Sequence, residues 1–107
     1  MKAIQNIEEY NQLIANSNNT PVLLDFYADW CGPCQTLLPT VEKLSKEYEG
    51  KVTIQKVNIE AVPELATLHK VRSIPNLVFI KNEKVVNTHI GLASEADLRT
   101  NLDTLSN

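Results

Sequence analysis

Two periods of hydrophobic spacing divide the chain. Ile7, Tyr10, Leu13 and Ile14 recur at helical spacing. The polar run Asn16-Ser17-Asn18-Asn19-Thr20 then reads as a loop. Residues 21–28, Pro-Val-Leu-Leu-Asp-Phe-Tyr-Ala, form a short and nearly continuous apolar run. Such a run fits a strand covered on both faces. Leu37, Val41, Leu44 and Tyr48 share one face of a second helix, which Gly50 stops. Residues 52–59 alternate over part of their length and predict a strand. A short helix follows over 63–69, with Pro63 suited to its first turn. Residues 76–80 and 85–90 predict two strands. The tight connection Lys81-Asn82-Glu83-Lys84 makes them an antiparallel hairpin. Ser94 caps a last helix, with Asp97 at capping-box spacing and an apolar stripe of Leu98, Leu102 and Leu105.

The predicted order is helix, strand, helix, strand, helix, strand, strand, helix. Strand–helix–strand units imply an α/β fold, a central sheet with helices on its faces. The pattern leaves the strand order open.

Length and composition narrow the class. The chain has 107 residues, which predicts one domain over 1–107. It is 43% hydrophobic and 21% charged, the balance of an ordinary folded domain and not of a disordered chain. Ten basic and 13 acidic residues give a net charge of −3, which argues against nucleic acid or an anionic membrane surface as partner. No run approaches the roughly 18 apolar residues of a membrane span. Met1-Lys2-Ala3-Ile4-Gln5-Asn6 does not read as a targeting signal, so a reducing cytoplasmic compartment is expected. The three glycines, Gly32, Gly50 and Gly91, cannot build a dinucleotide or phosphate loop.

The two cysteines, Cys31 and Cys34, exclude a disulfide-rich scaffold, a four-cysteine zinc site and an iron–sulfur cluster. Cys31-Gly32-Pro33-Cys34 lies between a predicted strand and a predicted helix. Pro33 suits the first helical position, which puts Cys31 at or near the N-cap and Cys34 in the first turn. A Cys31 thiolate there accepts unpaired backbone N–H groups at the positive end of the helix. Its pKa is expected below the roughly 8.5 of a free thiol. Helical spacing also suits a disulfide, so the pair can be dithiol or disulfide with little backbone movement, as thiol–disulfide exchange requires. Two blander alternatives stand beside this. His69 and His89 could complete a zinc site, although their spacing matches no compact motif. A static bridge over so small a loop would stabilise little. Asp25 lies in the apolar run, where burial would raise its pKa; alternatively it faces solvent from a half-exposed strand.

The segment Asp25-Phe26-Tyr27-Ala28-Asp29-Trp30-Cys31-Gly32-Pro33-Cys34 closely resembles the active-site segment of the thioredoxin family. The resemblance continues in order through Pro39, Lys56-Val57-Asn58-Ile59-Glu60, Val71-Arg72-Ser73-Ile74-Pro75 and Gly91. It implies a thioredoxin fold, with a five-stranded mixed sheet flanked by four α-helices. It implies a protein disulfide reductase and electron carrier in which Cys31 attacks, more exposed at the helix start, and Cys34 resolves. Asp25 would assist proton removal from Cys34, with Lys56 nearby. Ile74-Pro75 matches a cis-proline position whose loop lies against Cys31. The backbone of Ser73 and Ile74 would pair with an extended target segment. Trp30, Gly32, Pro33, Ile74, Pro75, Gly91 and Leu92 would form the contact surface; for Trp30 the alternative is a core aromatic. The implied partners are disulfide-containing target proteins and an NADPH-dependent flavoprotein reductase. No bound cofactor or metal is implied, and a monomer is expected.

Some positions depart from the family pattern. Gln35 stands where Lys or Arg is usual, Tyr27 where tryptophan is common, and Asn76 where threonine follows the proline. Lys70 and Ser73 stand where glycines are common, and Asn82-Glu83 lacks the usual hairpin glycine. None removes a reacting group. Two other functions compete: an oxidase or isomerase on the same fold, which Gly32-Pro33 disfavours by resemblance, and a module that only docks a partner. Pro39 reads as a kink in the second helix, and His69 and His89 as surface or half-buried residues without a role. Glu8, Glu9, Lys43, Lys46, Glu47 and Glu49 read as solvated helix faces.

Overall fold

The computed structural model describes residues 1–107. Eight elements appear in the predicted order: α1 (Ile7–Ala15), β1 (Val22–Tyr27), α2 (Gly32–Glu47), β2 (Thr53–Asn58), α3 (Pro63–Leu68), β3 (Asn76–Lys81), β4 (Lys84–Ile90) and α4 (Glu95–Ser106). They form a sheet of order β2-β1-β3-β4. β1 pairs parallel with β2, and the β1–β3 and β3–β4 pairs are antiparallel.

The sheet has four strands, not the five expected. The segment before α1 contributes only a bridge between Ala3 and Lys56. Ile4 N–H donates to the Lys56 carbonyl at 2.9 Å, and Lys56 N–H to the Lys2 carbonyl at 3.0 Å. The chain then leaves the sheet because Asn6 caps α1, its Oδ1 accepting the Glu9 N–H at 2.9 Å.

β1 is buried along its length because helices cover both faces. Alternation sends Leu23 into a core with Leu37, Val41 and Leu44 of α2 and Leu98, Leu102 and Leu105 of α4. Val22, Leu24 and Phe26 point the other way, into a core with Tyr10 of α1 and Leu65 of α3. The capping of α4 follows the sequence expectation, with Ser94 Oγ accepting the Asp97 N–H at 3.1 Å. Pro39 lies inside α2.

The β3–β4 turn has Asn82 at φ 53° and Glu83 at φ 65°. This left-handed pair suits the twist of a two-residue hairpin. Ser17, from the polar loop after α1, is fully buried and holds the turn. Its Oγ accepts the Glu83 N–H at 2.7 Å and donates to the Ile14 carbonyl at 2.6 Å. The charges of α2 are not all free in solvent. Lys43 pairs with Glu95, and Arg99 with Glu47 and Glu95, joining α2 to α4.

Candidate active site at the start of helix α2

β1 ends at Tyr27, and a four-residue connection leads to α2. Cys31 is the N-cap of α2, with φ −87° and ψ 109°. Its Sγ accepts the Cys34 N–H at 3.2 Å, one of the donors a helix start leaves free. The helix begins at Gly32, one residue earlier than the expectation that placed Pro33 first. Gly32 carries no side chain and a Cβ there would meet nothing within 4 Å; both Gly32 and Pro33 are exposed. Cys31 and Cys34 form a disulfide with a Cα–Cα distance of 5.2 Å. No group of histidine, cysteine and carboxylate side chains gathers to hold a metal.

Cys31 is 6% exposed and Cys34 3%. Cys31, expected to be the more exposed of the two, is therefore hardly more open than Cys34 when they are bonded. Both pack with Ala28, and Tyr27, Ile59 and Ile74 close around them. The Ile74–Pro75 peptide is cis, and the Ile74 carbonyl oxygen lies 3.8 Å from Cys31 Sγ. Gly91 N–H donates to the Pro75 carbonyl at 2.8 Å, which brings a third segment to the same corner. Gly91 has φ +92°, a conformation that side-chain-bearing residues resist. Trp30 and Leu92 are 67% and 56% exposed, so Trp30 is not the core aromatic that was its alternative. Ser73 is exposed and Ile74 half-buried. The three cavities of the molecule lie away from this corner, so the site is a surface rather than a pocket.

Asp25 stands in β1, opposite Lys56 of β2 and Leu77 of β3. It is 1% exposed, which removes the solvent-facing alternative. Its Oδ1 has no hydrogen-bond partner. Burial pushes the carboxyl up to about 7, against the opposing pull of the Lys56 charge. The Lys56 ammonium itself sits 5.3 Å from the centroid of the Tyr27 ring.

Two features were invisible in the sequence. Glu60 accepts the Trp30 Nε1–H at 3.0 Å and steadies the exposed indole. No local spacing rule links residues so far apart. His69 is tied to Tyr10, with Nε2 and the phenol oxygen 2.7 Å apart. It also packs on Phe26, with ring centroids 5.5 Å apart. Lys70, which follows it, has φ 54°, the conformation that explains why glycine is common there.

Comparison with known proteins agrees with this geometry. The thioredoxin family model matches residues 2–104. A thioredoxin of Buchnera aphidicola is 42% identical over 99 residues, covering 92% of this chain and 88% of that protein. A chloroplastic M-type thioredoxin of Pisum sativum is 40% identical over 95 residues, 89% of this chain and 55% of that protein. The X-ray structure of Fasciola hepatica thioredoxin superposes with a TM-score of 0.88 at 34% identity, covering 97% of this chain and 98% of that one. In sequence and in fold alike, the chain belongs to the thioredoxin family of thiol–disulfide oxidoreductases.

Proposed function

We propose that the chain reduces disulfides in other proteins, with Cys31 attacking and Cys34 resolving. The observation that carries these roles is the placement of Cys31 Sγ on the Cys34 N–H at the start of α2. That donor and the helix dipole favour a Cys31 thiolate once the pair is reduced. The thiolate attacks one sulfur of a target disulfide. A Cys31–target bond forms, and the second target sulfur leaves as a thiolate. Cys34 then loses its proton and attacks Cys31 Sγ. The mixed disulfide breaks, the first target sulfur leaves as a thiolate, and the Cys31–Cys34 disulfide remains. Two electrons have passed to the target, whose thiolates take protons from solvent.

Asp25, with its carboxyl at about 7, suits the acceptance of the Cys34 proton at neutral pH. Lys56 tunes that carboxyl. The exposed Ser73 and the half-buried Ile74 beside Cys31 support strand-like pairing of their backbone with an extended target segment. Trp30, Gly32, Pro33, Gly91 and Leu92 complete the contact surface, while Pro75, expected in it, is buried and shapes it from beneath. Main-chain pairing of this kind accepts many target sequences.

The disulfide left behind must be reduced again. An NADPH-dependent flavoprotein reductase is the proposed electron source, and the chain needs no cofactor of its own. We place it as a single-domain monomer carrying electrons in a reducing, cytoplasmic compartment. No helix is long and apolar enough to cross a membrane.

The test is reduction of insulin under an external reductant. Wild type accelerates it and Cys31→Ser does not. Failure of wild type to accelerate it would leave the partner-docking reading, and equal acceleration by Cys31→Ser would contradict the role of Cys31.

A further inference from the structure

We propose that His89 is a positioning residue for target docking, holding the segment that presents Leu92 beside Cys31. The inference rests on the proposed contact surface and names a residue that the reacting groups do not include.

His89 lies near the end of β4, opposite the buried Leu77 of β3. The strand ends at Ile90, and α4 begins at Glu95. Between them the chain has no regular structure. Two hydrogen bonds hold its backbone before the Ser94 cap. One runs from Gly91 N–H to the Pro75 carbonyl at 2.8 Å. The other joins His89 Nε2 to the Leu92 carbonyl oxygen at 2.8 Å. A carbonyl oxygen only accepts, so Nε2 carries the proton and donates. The first bond fixes where the segment meets the cis-proline loop. The second fixes its direction after Gly91, whose φ of +92° lets the chain reverse.

The consequence reaches the surface through Leu92, whose side chain is 56% exposed. Anchored by its own carbonyl, Leu92 is offered to a partner in one orientation. Released, the backbone from Gly91 to Ala93 would have to be ordered on each encounter, and docking would weaken. His89 bonds to the Leu92 carbonyl and not to either sulfur. Its effect falls on substrates large enough to cover Leu92 and spares those that reach only Cys31.

The experiment compares insulin with hydroxyethyl disulfide as substrates. His89→Ala should raise KM for insulin about three- to tenfold, the effect of one hydrogen bond, with kcat little changed. Turnover of hydroxyethyl disulfide should stay within twofold of wild type. His89→Gln, which keeps a side-chain N–H donor, should recover part of the loss. A double-mutant cycle with Leu92→Ser should be non-additive, the double variant being no worse than the poorer single variant. An unchanged insulin KM in His89→Ala overturns the proposal, as does an equal loss on both substrates or an additive cycle. If His89→Ala does not fold, His89→Leu, which fills the site without a donor, takes its place in the assays and in the cycle, with the same outcomes expected. Failure of wild type on both substrates would instead overturn the reading of Cys31 itself.

Discussion

Asp25 and Lys56 stand directly opposite one another in the parallel register of β1 and β2, a carboxyl buried beneath the active-site face and the one cation that pulls on it. Burial outweighs that cation and leaves the carboxyl at about 7. The proton-transfer role proposed for Asp25 therefore has a pH signature. Resolution of a Cys31-linked mixed disulfide should speed up as pH rises through about 7. Asp25→Asn should slow it by roughly ten- to a hundredfold near neutrality and remove that inflection. Lys56→Met should move the inflection to a pH higher by roughly one. Stopped-flow release of a bound target from pH 6 to 9 measures all three, and matching profiles would rule the role out.

The same carboxyl sets a stability trend of opposite sense. Its folded pKa of about 7 lies above its ordinary value of 3.8, so the folded chain holds the proton more tightly than the unfolded one. The stability this contributes is complete below pH 3.8 and is lost as pH rises through about 7. Asp25→Asn should accordingly stabilise the fold at pH 8 by up to about 4 kcal/mol, at about 1.4 kcal/mol for each tenfold difference in proton affinity, and hardly at all at pH 4. Urea unfolding at the two pH values reads the difference.

His69 should act on the acid side. Burial lowers its pKa from 6.5, so the unfolded chain takes up the proton first. Its stability contribution is present above pH 6.5 and lost as pH falls below it. His69→Gln should flatten the slope of unfolding free energy between pH 5 and 6.5. A slope equal to wild type would show that the burial of His69 does not govern it.

The β3–β4 turn offers a test free of the chemistry. Glu83→Gly should stabilise the chain by about 0.5–1 kcal/mol, because glycine relieves the left-handed backbone at some cost in chain entropy. Ser17→Ala should destabilise it by about 1–3 kcal/mol by stranding the Glu83 N–H. Thermal and urea unfolding of the oxidised protein check both, and disulfide reduction should be unaffected.

Particular residues show why part of this molecule was legible in its sequence. The apolar run around Asp25, the stripe Leu98-Leu102-Leu105 and the cap at Ser94 are local patterns, and each element appeared where its period placed it. Cys31-Gly32-Pro33-Cys34 was legible because its geometry is contained within one turn of helix. The expected fifth strand came from the family resemblance and not from periodicity, which placed four; at Ala3 the chain makes only an isolated bridge. Long-range pairs were hidden for a different reason. Trp30 with Glu60, Tyr10 with His69 and Ser17 with Glu83 meet only after the sheet has formed. Ser17 looked like one more polar loop residue, yet it is fully buried because the hairpin turn closes over it.

The division of labour between the two cysteines is tested most directly by trapping. Cys34→Ser and Cys31→Ser variants are incubated with insulin, and the covalent adducts are mapped by mass spectrometry. A stable mixed disulfide through Cys31 is expected in Cys34→Ser, and little or none through Cys34 in Cys31→Ser. Adducts formed chiefly through Cys34 would contradict it.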